Sequence, residues 1–339
     1  MTNRTEMIDE FKKELTDNIL PFWMNHVKDN KGGFYGAVTN DLKILDEVPR
    51  SSVLCARILW TFSKTYKILK NNQYRKMADH AYKYLTNEFW DNRHGGLYWE
   101  IDKNGLPVTD RKHHYAQAFG IYGLTEYFRI TEDQTVLDLA RELFHLLEEY
   151  AYEPVYGGYI EGRSRTWQNL PDMRLSDKDM NSRKSMNTML HVLEAYSNLL
   201  KVWDDPQLRR SHKSLIEIFN EKIINQQTGH FKLFFDDEWN SLSNNISFGH
   251  DIEGSWLLWE GVNLHDNSTL KETTKKSILK IAHAVLNEGQ DKDGSIFSGS
   301  SSNGLKDTGR EWWPQAEAIV GFYNAYQLTG EEKFAEASF

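Results

Sequence analysis

A glycine turn followed by aromatic or β-branched residues recurs five times in this chain, and such a repeat constrains the fold more tightly than any single motif. The copies are Gly32-Gly33-Phe34-Tyr35, Gly95-Gly96-Leu97-Tyr98-Trp99, Gly157-Gly158-Tyr159-Ile160, Thr228-Gly229-His230-Phe231 and Asp293-Gly294-Ser295-Ile296-Phe297. Counted from the last glycine of each (33, 96, 158, 229, 294), the steps are 63, 62, 71 and 65 residues. Each copy reads as a short hairpin opened by a residue that tolerates positive φ. Two helical patterns fill each gap. Leu54, Ile58, Leu59, Phe62, Tyr66 and Leu69 follow the 3.6-residue period over 51–69, and Met186, Met189, Leu190, Leu193, Tyr196 and Leu200 do so over 185–203. Together with 113–130, 248–262 and 312–328, these helices are apolar around most of their circumference, which predicts burial on more than one side. The segments between them, 8–27, 74–90, 135–150, 207–224 and 270–288, are amphipathic and predict an outer layer.

The unit is therefore outer helix, hairpin, inner helix. Stacked around an axis, such units predict an all-α fold, an (α/α)6 barrel of helix–hairpin–helix repeats. No Pro-, Gly- or Ser-rich linker interrupts the series, so residues 1–339 read as one domain. The Ser/Gly-rich segment 299–309 falls where the other repeats have their hairpin-to-helix loop. The longest step contains a polar stretch, 163–184, which reads as a functional loop. Five complete units and a sixth outer helix starting near Glu331 can be counted. The expectation is a barrel whose last inner helix is missing from this chain, exposing the flanks of the first and fifth inner helices unless something else covers them.

Composition narrows the function classes. With 40% hydrophobic and 26% charged residues the chain can bury a core. Forty Lys+Arg against 49 Asp+Glu give a net charge of −9 without a basic stripe, which argues against nucleic acid as a partner. No apolar run is long enough for a membrane span, and the charged N-terminal segment does not read as a signal peptide. Cys55, the single cysteine, permits neither an internal disulfide nor a thiolate metal cluster, and a cytoplasmic location is expected. The 11 Trp, 16 Tyr and 17 Phe suit a cleft for sugars.

In a helical barrel the hairpins and the N-terminal ends of the inner helices share one mouth. Polar and aromatic residues in the leading turns then converge: Arg57, Tyr115, Asn187, His191, His250, Glu253, Trp256, Trp312, Trp313 and Glu317. His250 and Glu253 are three apart on one helix face, so Glu253 is expected to accept a hydrogen bond from His250 and form an acid–base pair, or else a structural contact. His191 lies one turn after Asn187. A metal set of His191, His250 and Glu253 lacks any His-Glu-x-x-His pattern, and no metal is expected. Arg57 sits in an apolar run and needs Glu317, Glu253 or a substrate oxygen as partner. Trp256, Trp312 and Trp313 could stack on sugar rings or pack in the core, to which Trp60 and Trp259 are assigned. His113 and His114 are expected on the solvent side or as caps.

The inner-helix sequences Ala56-Arg57-Ile58-Leu59-Trp60-Thr61-Phe62, Tyr115-Ala116-Gln117-Ala118-Phe119, Met186-Asn187-Thr188-Met189-Leu190-His191, Gly249-His250-Asp251-Ile252-Glu253-Gly254-Ser255-Trp256 and Trp312-Trp313-Pro314-Gln315-Ala316-Glu317 resemble those of the cellobiose 2-epimerases, a group of the N-acylglucosamine 2-epimerase superfamily of (α/α)6 barrels. The resemblance runs along the whole chain. It implies cofactor-independent epimerisation at C2 of the reducing-end glucose of β-1,4-linked disaccharides, cellobiose giving glucosyl-mannose and lactose giving epilactose. It further implies that His250, paired with Glu253, moves the C2 proton, that His191 assists ring opening and that Arg57 and Asn187 hold the enediolate oxygens. Tyr115 and Glu317 would complete the polar wall, and Trp256 and Trp313 would be sugar platforms. The implied partner is a small disaccharide, on a monomer or weak homodimer. Two departures are expected to matter unequally: Met189 stands where the family commonly has histidine, and the family's second acid–base histidine, in a Trp-Lys-x-Pro-Tyr-His-like stretch, would fall past Phe339. Activity is thus expected to need residues beyond Phe339. The rival readings are an N-acylglucosamine or monosaccharide 2-epimerase or aldose–ketose isomerase, a glycoside hydrolase using Glu253 and Glu317, and a sugar-binding protein without activity.

Overall fold

The computed structural model describes residues 4–339 apart from Lys178, Ser302 and Leu305; these three, from the loops 163–184 and 299–309, lie outside the described residues. In chain order the helices are α1 (Arg4–Lys13, continuing through Glu14–Ile19 and Leu20–Phe22 to Trp23–Val27), α2 (Ser52–Leu69), α3 (Asn72–Tyr84) and α4 (His114–Thr131). Then follow α5 (Gln134–Tyr150), α6 (Met186–Leu200), α7 (Pro206–Ile218) and α8 (Phe248–Val262). The last are α9 (Ser268–Ala284), α10 (Trp312–Thr329) and α11 (Glu332–Ser338). Odd-numbered helices are outer and even-numbered ones inner, as the periodicity predicts. The outer helices α3, α7 and α9 end in a wider, π-helical turn, Leu85–Phe89, Phe219–Ile223 and Val285–Gly289, just before the hairpin. Successive inner helices pack on one another in the order α2, α4, α6, α8, α10. Their fully buried Leu59, Ile121, Leu193, Leu258 and Phe322 belong to one contiguous core.

Each glycine turn is closed by the same antiparallel bridge: Lys28 with Phe34, Trp90 with Leu97, Tyr152 with Tyr159, Ile224 with Phe231 and Gln290 with Ile296. Two-residue strands then stitch neighbouring repeats. The pair leading into each inner helix joins the strand after the next hairpin: Arg50–Ser51 on Glu100–Ile101, Lys112–His113 on Gly162–Arg163, Lys184–Ser185 on Phe234–Phe235, and Ile246–Ser247 on Gly299–Ser300. Gly158 illustrates the need for glycine: its φ is +84°, and a Cβ there would lie 2.6 Å from the ring of Trp239, which caps the turn and donates Nε1–H to Tyr156 O at 2.9 Å.

A clamp recurs at the fourth residue of the inner helices. Gln117 accepts from Leu97 N and donates to Leu97 O, and Gln315 does the same with Ile296. Asp251 accepts from Phe231 N at 2.8 Å, and the thioether of Met189 takes Tyr159 N at 3.4 Å. Met189 is thus a working member of the clamp. A second recurrent contact ties the residue two before each inner helix to the acid that opens the hairpin: Arg50 to Asp29, Lys112 to Asp91, Lys184 to Glu153 and Arg310 to Asp291. In the fourth repeat both members change together, to Ile246 and Asn225.

Lys112 and Asp91 are both fully buried, 3.1 Å apart. Burial pulls the Lys112 ammonium down to about 8 against the opposing pull of Asp91. Burial would raise the Asp91 carboxyl, yet the hydrogen bond from Arg165 and the charge of Lys112 hold it well below the usual carboxylate range. The two shifts differ because Asp91 has two cations and Lys112 one carboxylate. Stranding one partner of a buried pair costs about 3–5 kcal/mol, whereas replacing both can be close to neutral. Asp91→Ala should therefore lower unfolding free energy by about 3–5 kcal/mol. The double change Asp91→Asn with Lys112→Ile, which copies the fourth repeat, should recover most of that loss in the same denaturant titration.

Candidate active site

An α-helix advances about 100° per residue. With the fourth residue of each inner helix turned toward its hairpin, the second, sixth and ninth lie about 140–200° away and face the barrel axis. The sixth residues of α2, α4, α6, α8 and α10 are Arg57, Phe119, His191, Glu253 and Glu317. They meet in that order. The Arg57 guanidinium lies over the Phe119 ring at 4.8 Å, Phe119 packs against His191 at 4.7 Å, and His191 Nε2 is 3.9 Å from Glu253 Oε1. Glu253 in turn feels the charge of Glu317. The second residues add Tyr115, whose ring is 4.9 Å from His191, Asn187 and Trp313. The ninth add Trp60, Tyr122, Glu194 and Trp256, with Trp60 stacked on Tyr122 at 4.9 Å.

His250 reaches the same space from the third position of α8. Gly249 before it carries no side chain, and a Cβ there would lie 2.5 Å from Trp313, whose indole packs against His250 at 4.8 Å. The expected His250–Glu253 hydrogen bond is not formed. His250 Nδ1 lies 2.7 Å from the hydroxyl of Ser247, one turn earlier, and Glu253 turns toward the axis and His191. Spacing of three allows either neighbour, and the N-terminal one is taken. Burial, with the charge of His191 adding to it, pulls the His250 imidazole down to about 3. His191 has the carboxylate partner instead: Nδ1 is 2.9 Å from Glu194 Oε2. Burial opposes ionisation of Glu194, but the hydrogen bond and charge of His191, with the charge of Arg57, hold its carboxyl below the usual value.

Arg57, Tyr115, Asn187, His191, His250, Glu253, Trp313 and Glu317 line one cavity of about 600 Å³ between α2 and α10, with Ile19 and Trp23 of α1 on its flank. Arg57 fronts the cavity and makes no direct ion pair among the described residues; Tyr115, Glu194 and Glu253 surround it. Asn187 Oδ1 is buried without a hydrogen-bond partner among the described residues. Trp256 does not line the cavity. It sits one turn deeper and donates Nε1–H to Glu317 at 2.9 Å, so it positions a carboxylate where a sugar platform is expected. Trp312 is at the lip, 78% exposed. His113 and His114 are fully buried, not on the solvent side; His113 is the N-cap of α4, accepting from Tyr115 N. Glu194, Tyr122, Phe119 and Ser247 are the neighbours that sequence reasoning missed. Writing the five inner helices in register brings out the first three, at positions six and nine. No group of three or more His, Cys, Asp or Glu among the described residues could hold a metal ion.

Burial and the neighbouring charges of Glu317 and Glu194 push the Glu253 carboxyl well up, with Arg57 opposing. Burial likewise raises Glu317, against the hydrogen bond from Trp256. Two carboxyls that feel each other's charge resist ionising together. Glu317→Gln should bring the Glu253 carboxyl back down, seen as an acid shift of its midpoint in a ¹³C-carboxyl NMR titration.

The sequence profile of the N-acylglucosamine 2-epimerase family matches residues 33–338. A cellobiose 2-epimerase of Bacteroides fragilis is 42% identical over 95% of this chain and 82% of its own length; that of Dictyoglomus turgidum is 40% identical over 97% and 84%. Among solved structures, the cellobiose 2-epimerase of Bacillus thermoamylovorans superposes with a TM-score of 0.94 at 40% identity, covering 98% of this chain and 85% of that one. A D-mannose isomerase shares the fold, with a TM-score of 0.80 at 19% identity. Among the described residues no helix is long and apolar enough to cross a membrane. The chain belongs to the N-acylglucosamine 2-epimerase family and is, by that membership, an isomerase.

Proposed function

We propose that the protein epimerises C2 of the reducing-end glucose of a β-1,4-linked disaccharide, cellobiose or lactose, without a cofactor. The observation that carries this reading is the convergence of two imidazoles, a guanidinium and a carboxyl pair on one cavity. The names of the relatives at 42% and 40% identity support a disaccharide as the sugar.

The chemistry follows from what C2 requires. Its proton becomes acidic only when the ring has opened to the aldehyde and the charge developing on O1 is stabilised. Glu194 fixes His191 Nδ1 and leaves Nε2 to exchange a proton with the ring oxygen or O1 during opening. His250 Nε2 takes the C2 proton, the C–H electron pair becomes the C1=C2 π bond, and the C1=O1 π pair moves onto O1 to give an enediolate. Arg57 holds its charged oxygen, and Asn187 Oδ1, without a partner among the described residues, accepts a sugar hydroxyl. Tyr115 and Glu317 complete the polar wall, and Trp313, packed on His250, faces the sugar ring. Return of a proton to the opposite face gives the epimer. It comes from a second acid–base group or from His250 after rotation about C2–C3.

Incubation with cellobiose in D₂O should place deuterium at C2 of both epimers; retention of protium there would overturn the enediolate route. His250→Ala should abolish exchange while circular dichroism shows the helices intact. Arg57→Gln, which removes the charge over the enediolate, should lower kcat by about 10²–10³-fold.

A further inference from the structure

Ser247 is the N-cap of α8, yet its side chain caps nothing: it makes no hydrogen bond to the helix backbone. Inner helices differ here: Ser51 before α2 and Glu311 before α10 also make no side-chain cap, whereas two others do. Ser185 accepts from Thr188 N at the start of α6, and His113 accepts from Tyr115 N at the start of α4. A side-chain cap stabilises a helix by about 0.5–2 kcal/mol, and what distinguishes Ser247 is where its hydroxyl goes instead. Its hydroxyl is the only hydrogen-bond partner of the His250 ring among the described residues, at 2.7 Å from Nδ1.

Resting on the reading of His250 as the C2 base, we propose that Ser247 is the positioning residue that keeps the ring proton on Nδ1 and leaves Nε2 bare toward the sugar. In the resting state Nδ1–H donates to Ser247 Oγ. When Nε2 takes the C2 proton the ring becomes an imidazolium, and the same Nδ1–H bond persists. When Nε2 gives a proton back, the original tautomer returns. No other group needs to move a proton. A hydroxyl adds no charge, so it orients the ring while stabilising the imidazolium far less than a carboxylate would. The charged and titratable groups that share a cavity with His250 are Arg57, Tyr115, His191, Glu253 and Glu317 on one side and Glu161, Arg174 and Asp179 on the other. The last three border a small cavity of about 170 Å³ that His250 shares with Asn187.

The test is the ¹⁵N spectrum of histidine-labelled protein, combined with kinetics on cellobiose. Wild-type His250 should show a protonated Nδ1 and an unprotonated Nε2. Ser247→Ala should shift the tautomer toward Nε2–H and lower kcat by about tenfold with KM within twofold. Ser247→Thr, which keeps the hydroxyl, should restore both. Wild-type protein protonated at Nε2 would overturn the proposal. So would Ser247→Ala with unchanged tautomer and kcat, whether or not its melting temperature falls. Failure of the wild type to exchange the C2 proton would sink the epimerase reading, and the ¹⁵N spectrum would still decide the role of Ser247.

Discussion

The clamp between the fourth residue of an inner helix and the hairpin in front of it is the contact on which the mouth of this barrel depends. It fixes the rotation of the helix about its own axis, and the helical repeat then decides which residues face inward. Three chemistries serve the same end: the amides of two glutamines, an aspartate carboxylate and a methionine sulfur. In the first repeat the fourth residue is Cys55, whose thiol faces Ala81 O, and the hairpin is held by Arg50, which donates to Gly32 O and pairs with Asp29. What matters is that the hairpin be tied to the helix, not which group ties it.

That geometry places unlike groups at equivalent positions. One ring of sixth residues holds a guanidinium, a phenyl ring, an imidazole and two carboxyls. Phe119 separates the Arg57 guanidinium from the His191 imidazole, and His191 in turn faces Glu253. The two imidazoles are backed differently, one by a carboxylate and one by a hydroxyl, and this divides their chemistry. A carboxylate fixes a ring through a bond to a charged acceptor; a hydroxyl fixes it without adding a charge.

Much of this was legible beforehand. The repeat of glycine turns located every hairpin, and the 3.6-residue period located inner and outer helices to within a few residues, because burial on one side or on all sides leaves a direct mark on composition. Of the ten residues expected to converge on the mouth, all but Trp256 line the cavity. The errors share a cause. Spacing along a helix names candidate neighbours on both sides but does not choose between them, so His250 was matched with Glu253 when Ser247 lay equally near. Depth was misjudged for Trp256, and burial for His113 and His114, because the first turn of an inner helix is covered by the loop and strand of the next repeat. Met173 O, in the loop 163–184, sits 3.2 Å from His113 Nε2. No local pattern announces such a contact.

The strand stitching has a consequence for how the chain comes together. Arg50 pairs with Ile101, Lys112 with Arg163, Lys184 with Phe235 and Ile246 with Ser300, separations of 51, 51, 51 and 54 residues. Every such pairing reaches forward by less than one unit, and none bridges distant parts of the chain. Loop closure therefore stays short throughout, which favours rapid folding. Each unit emerging during synthesis can dock on the one before it, so the wall of the barrel can grow from its first helix in the direction of translation.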